Sequence, residues 1–254
     1  MPLVRRILAV AALAALCLPA AARAQGKFPP DSFTNLKVLP KNIDQRTLIN
    51  TMRGFAQGLG VRCTYCHVGT REDAPLDSIA FAKDDKRTKK VARVMMHMVM
   101  HINEEHLHEV PDRPTPLLEV RCATCHRGVA RPRLLDDEMT LTLADSGLDA
   151  AVRRYRSLRE RYYGSGSYDF REGVLTDVAR TEARAGRPDN AIGLLNLNAE
   201  FNPQSAAIPA ALGDAYLAKG DTANAVASYK TSLSRDSTFG PARFRLRQLT
   251  GGRP

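Results

Sequence analysis

The pentapeptide Cys-x-x-Cys-His occurs twice in this chain, as Cys63-Thr-Tyr-Cys66-His67 and as Cys122-Ala-Thr-Cys125-His126. Two thiols at this spacing can each add to a vinyl group of one haem, and the histidine that follows is then placed to bind the iron from one face. The pattern predicts two covalently bound c-type haems, with Cys63, Cys66, Cys122 and Cys125 as anchors and His67 and His126 as axial ligands. Other uses of a Cys-x-x-Cys pair fit less well. Only six of the 254 residues are histidine, so one directly after each pair is a poor match to chance. A structural zinc site usually closes over a short segment, and the chain between Cys66 and Cys122 is long for that. A thioredoxin-like pair needs a βαβ setting, and none is visible around either motif.

The start of the chain agrees with haem attachment outside the cytoplasm. Residues 1–24 read as a secretory signal peptide, with Arg5 and Arg6 as the basic start, an apolar run from Ile7 to Leu18, and Ala22-Arg23-Ala24 before Gln25 as a small-x-small cleavage site. That run is too short for a permanent bilayer span, and no other segment is apolar for long enough. Cys17 would suit a lipoprotein signal, but the bulky Leu16 before it is a poor fit. The expectation is an exported, periplasmic bacterial protein whose remaining four cysteines all belong to the haem motifs, leaving no thiol for a disulfide.

Around the motifs the pattern is helical throughout, which predicts a mainly α fold: a compact dihaem helical domain with loops around the haems, then an α-helical hairpin domain. A helix is expected from about Asp44 to Leu59, with Leu48, Met52, Phe55 and Leu59 on one stripe and Gly60 as a left-handed cap before Cys63. A second is expected from about Asp85 to Glu105, with Val91, Met95, Met98 and Ile102 on one face. An irregular segment containing Pro111, Pro114 and Pro116 then leads to Cys122. Each motif is thus preceded by a helix that carries methionine.

This organisation resembles the cytochrome subunit of photosynthetic reaction centres over roughly residues 35–130. The stretches that carry the resemblance are Met52-Arg-Gly-Phe-Ala-Gln-Gly-Leu-Gly-Val-Arg-Cys63, Val91-Ala-Arg-Val-Met95-Met-His-Met-Val-Met-His-Ile-Asn103 and Cys122-Ala-Thr-Cys-His126-Arg-Gly128. In that family a helix upstream of each motif commonly supplies a methionine as second axial ligand. The resemblance therefore implies Met52 and Met95 in that role. On residue type alone, a methionine on an apolar helix face is more often packing than ligand. The second helix also offers Met96, Met98, Met100, His97 and His101, and the last two are spaced to clasp a surface metal or simply to face solvent. Family members carry four haems and this chain has sites for two, so it resembles half of such a subunit. Docking to a photosynthetic complex is not implied.

The C-terminal part repeats at an offset of 34 residues, which matches Gly186 with Gly220 and Ala191 with Ala225. With Gly213-Asp-Ala-Tyr216 and Tyr229, and with Ala179 and Pro203, it resembles tetratricopeptide repeats over about residues 170–240, each a helical hairpin. Helices at Leu148–Tyr162 and Pro241–Leu249 are expected to cap the stack, with Gly164-Ser-Gly-Ser as a turn and Val129 to Ser146 as a linker. The domains are then 25–130 (dihaem cytochrome), 131–165 (linker and capping helix) and 166–254 (repeats). The repeats read as a docking surface or as a stabilising appendage.

A formal charge of +10 would allow nucleic acid or anionic lipid as partner. Export and haem argue against nucleic acid, and the charge reads as weak steering toward an acidic protein. Iron between histidine and thioether is six-coordinate, and methionine favours the ferrous state. The expected function is electron transfer between redox partner proteins, a membrane-bound electron-transfer complex among the candidates. The expected non-enzymatic role has two rivals: a peroxidase-like enzyme or gas sensor with one open haem, and a scaffold that uses haem mainly to stabilise its fold.

Overall fold

The computed structural model describes residues 27–113, 115, 116 and 118–251. The expected signal peptide and Cys17 lie outside these residues. The described chain is mainly helical, in the order α1 Gln45–Leu59, α2 Arg87–His101, α3 Cys122–His126, α4 Leu135–Tyr162, α5 Glu172–Arg184, α6 Pro188–Phe201, α7 Ala207–Lys219, α8 Thr222–Arg235 and α9 Gly240–Thr250. Among the described residues there is no strand, only one isolated bridge between Val68 and Ala80. No described helix is long and apolar enough to cross a membrane.

The chain forms two compact units. One holds the described residues up to Gln45 together with Arg62–Met95, and so carries the first motif and the start of α2. The other holds Arg46–Val61 and the chain from Met96 onward, and so carries most of α1, the second motif and all helices after it.

The first unit is small and largely loop. A 3-10 turn at Cys63–Tyr65 and another at Leu76–Ser78 frame it, and Ala74, Ile79 and Thr64 are buried. With so little apolar area to bury, polar bonds carry much of its order. The Asp84 carboxylate takes two bonds from the Arg93 guanidinium (2.8 and 2.9 Å), one from Lys37 (2.8 Å) and one from Asn35 (2.8 Å). Arg93 first, then Lys37, holds that carboxyl far below the usual carboxylate range.

The second unit has two buried clusters, a small one of Ala210, Ala225, Tyr229 and Ala242 and a larger one that spans α4 to α7. Tyr155, Leu158, Leu175, Leu194, Leu195, Leu197 and Ile208 are nearly inaccessible within the larger. The stretch expected as a linker differs from that expectation: it is helical from Leu135, and Leu135, Met139 and Leu143 at steps of four are buried in this core. α4 is broken only at Gly147 (φ 79°, ψ −179°), a backbone region open to glycine and almost nothing else. The expected capping helix from Leu148 is therefore the second half of α4.

The 34-residue offset is a property of the fold. α6 and α8 start at Pro188 and Thr222, and the turns before them place Gly186 and Gly220 at φ 77° and 83°. The matching extends to hydrogen bonds. Asn198 Nδ2 donates to the Glu172 carbonyl at 2.8 Å, and Ser232 Oγ donates to the Ala206 carbonyl at 2.7 Å. Donors and acceptors each differ by the same offset. Both donors are buried, so each bond ties the second helix of a pair to the start of the first. Ser232→Ala is expected to cost about 1 kcal/mol, the net worth of one hydrogen bond. In a chain of this size that lowers the melting temperature by about 2–4 °C. A melt unchanged within error would show that the bond does not hold the pair.

Candidate functional site

Each motif is one helical turn, as the chemistry requires if two thiols and an imidazole are to address one flat group. In the first motif the Cys63 carbonyl accepts from the amides of Cys66 (3.2 Å) and His67 (2.9 Å). In the second, α3 is closed at its start by Thr124. Its amide donates to the Arg121 carbonyl (2.9 Å) and its hydroxyl accepts from the Arg121 amide (3.0 Å). The four thiols are unbridged. Burial pushes the Cys66 and Cys122 thiols up from their usual values. A redox-active pair needs a depressed thiol, so the burial acts against that use.

The two histidines are held alike. His67 Nδ1 lies 3.2 Å from the Phe81 carbonyl, and His126 Nδ1 lies 2.9 Å from the Val129 carbonyl. A carbonyl can only accept, so Nδ1 carries the donated proton, and in the neutral ring Nε2 then keeps its lone pair. This is the tautomer and the orientation that a metal-binding imidazole needs. Burial, with Lys89 next, pushes the His67 imidazole below its usual value and favours the neutral form. The Phe81 ring also meets the His67 ring edge-on, with centroids 5.0 Å apart.

Local sequence explains each acceptor. After His126 the chain reverses through Arg127 (φ 47°) and Gly128 (φ 80°), which brings the Val129 amide to the His126 carbonyl (2.8 Å) and the Val129 carbonyl to the ring. After His67 the chain runs out and returns, and the Val68–Ala80 bridge sets Phe81 beside the ring. The start of α2 closes the first motif, since Thr88 Oγ1 donates to the Tyr65 carbonyl (2.5 Å) and Lys86 donates to the Thr64 carbonyl.

The end of α1 closes the second motif. The Gly128 amide donates to the Gly58 carbonyl at 2.9 Å, and a Cβ on Gly58 would stand 3.1 Å from the Ala123 amide nitrogen. The Gly164-Ser-Gly-Ser turn reaches the same place. Ser167 Oγ donates to the Arg127 carbonyl (2.5 Å), and the Arg127 guanidinium donates to the Gly166 carbonyl (3.4 Å). The second motif is thus fastened to the helical part that follows it.

The expected distal ligands are both half-buried methionines on helices, Met52 on α1 and Met95 on α2. Met52 lies in the unit that holds His126, and Met95 in the unit that holds His67. Of the α2 face named from the sequence, Val91 and Met98 are 39% and 45% exposed, and Val94, outside that face, is 62% exposed. Exposed apolar side chains of this kind mark a surface that a ligand or a partner covers. His101 pairs with Glu105 at 2.8 Å on the helix surface, and His97 is exposed. Among the described residues no cluster of three His, Cys, Asp or Glu could hold a metal ion.

Sequence reasoning missed Phe81, Val129 and Lys89. The first two act through backbone carbonyls, which no residue type announces. Lys89 sits in a run of cations from Lys83 to Arg93 and is told apart from them only by its burial, at 8% exposure.

A family model described as photosynthetic reaction centre cytochrome C subunit matches residues 7–147. That is more than half of the chain, and the chain belongs to this family. It is accordingly an electron-transfer cytochrome of the c type, with covalent haem. The match ends at Gly147, the residue that breaks α4. No curated protein matches the sequence.

Proposed function

We propose that the chain is a periplasmic dihaem cytochrome that carries electrons between redox proteins, with its helical repeats as the docking or assembly part. The observation that carries this reading is the twofold arrangement of the histidines, each with Nδ1 engaged by a carbonyl and Nε2 left for iron. The residues fit covalent haem at both motifs: Cys63 and Cys66 as anchors with His67, and Cys122 and Cys125 with His126. Met52 and Met95 are the proposed thioether ligands of the two irons, as the family pattern implies. Haem, when bound, supplies an iron that changes oxidation state without releasing a ligand.

The protein's part is to keep each imidazole fixed and each iron closed to small ligands. A carrier of this kind needs little rearrangement on electron transfer, and the hydrogen-bonded turns that fix both histidines supply that rigidity. The pairs α5–α6 and α7–α8, with their matched hydrogen bonds, support a tetratricopeptide-like stack. The partner is a redox protein, and a membrane-bound electron-transfer complex fits the family.

Carbon monoxide binding to the reduced, fully loaded protein tests the reading. The expected result is no binding at either iron, and binding at one iron in each of the variants Met52→Ala and Met95→Ala. Binding at one iron of the unaltered protein would instead support the rival, a peroxidase-like enzyme or gas sensor. Variants that remain closed to carbon monoxide would remove the methionines from their assigned roles.

A further inference from the structure

The Phe81 carbonyl serves two donors. It accepts from His67 Nδ1 at 3.2 Å and from the Lys89 ammonium at 2.7 Å. Lys89 is buried, and its ammonium also reaches the Lys83 carbonyl (2.7 Å) and the Asp84 carboxylate (3.1 Å). That carboxylate is already bound by Arg93 and Lys37. Three cations therefore share one anion, and the balance of this group is positive. The second motif differs. Among the described residues no cation donates to the Val129 carbonyl, which faces His126 Nδ1 at 2.9 Å.

We infer that Lys89 is a positioning residue that raises the reduction potential of the haem held by His67 above that of the haem held by His126. This rests on the dihaem reading. Two effects act in the same direction. A cation on the Phe81 carbonyl weakens it as an acceptor, so the His67 ring gains less anionic character and stabilises ferric iron less. The buried ammonium also lies near a centre that is one charge less positive when reduced, and low exposure limits screening. The thermodynamic direction of electron flow within the chain is then from the His126 site to the His67 site.

Redox titration of the holoprotein, followed by its visible spectrum, tests the inference. In Lys89→Met the higher of the two midpoint potentials is expected to fall while the lower one stays. Lys89→Arg, which keeps the charge, is expected to restore the higher value. The chain in which Cys122 and Cys125 are both changed to Ser, loaded at the first motif alone, assigns the shift: adding Lys89→Met lowers its single potential. Three results would overturn the inference: an unmoved higher potential, an equal shift of both potentials, or a Lys89→Arg variant that behaves as Lys89→Met does. A chain that loads fewer than two haems overturns the underlying reading as well. A dihaem, six-coordinate chain with unmoved potentials overturns the role of Lys89 alone.

Discussion

The double substitution Cys122→Ser, Cys125→Ser is expected to leave a chain with one covalent haem in place of two. The thioether bonds are the only covalent hold on the group, so their loss at one motif removes it from the denatured chain entirely. Haem absorbance per chain should fall to about half, and the intact mass should fall by the mass of one haem. The first motif should be untouched. Its histidine is fixed by Phe81, and its turn is closed by Lys86 and Thr88, all within its own unit. A peptide digest should therefore still carry haem on the segment from Cys63 to His67. Retention of two haems, or loss of both, would count against independent attachment at the two motifs. The reciprocal pair, Cys63→Ser with Cys66→Ser, should give the mirror result.

The parts of this arrangement that the sequence makes visible are those written in local spacing. The Cys-x-x-Cys-His segments fix the chemistry because reactive groups and ligand are neighbours in the chain. α1 is legible because Leu48, Met52, Phe55 and Leu59 follow the helical period and Gly60 ends it. The repeats are legible because small residues recur at one offset, and the hydrogen bonds of Asn198 and Ser232 recur with them. What stays hidden is made by backbone or by distance. Nothing in Phe81 or Val129 marks the carbonyl that orients a histidine. Nothing in the order of elements tells that the end of α1, which leads directly into the first motif, is hydrogen-bonded to the second. The first half of α4 is hidden differently. Leu135, Met139 and Leu143 do follow a helical step, but Asp136, Asp137, Glu138, Thr140, Thr142, Asp145 and Ser146 make the stretch look like a polar linker.

Gly60→Ala is expected to be among the most damaging single changes in the chain, although it adds one methyl group. Gly60 ends α1 in the left-handed region (φ 65°), with its amide bonded to the Gln57 carbonyl (3.1 Å) and the Val61 amide to the Ala56 carbonyl (3.0 Å). A side chain at such a position costs about 1–2 kcal/mol by itself. Here there is a second cost. A Cβ on Gly60 would stand 2.0 Å from the Gly128 carbonyl oxygen and 2.8 Å from its carbon, and both are backbone atoms with no rotamer to change. The Gly128 turn cannot withdraw cheaply, because its amide is bonded to the Gly58 carbonyl and its neighbour Arg127 is held by Ser167. Overpacking of this kind adds about 1–3 kcal/mol. The sum implies a melting temperature lower by about 2–4 °C for each of those kcal/mol. Gly164→Ala separates the two costs. Gly164 is also left-handed (φ 79°), but a Cβ there would meet nothing within 4 Å, so only the backbone cost remains. Gly60→Ala should therefore melt well below Gly164→Ala, and it should load less haem at the second motif while the first loads normally. Equal melting of the two variants would mean that the close approach of α1 to the second motif is not what holds that motif in place.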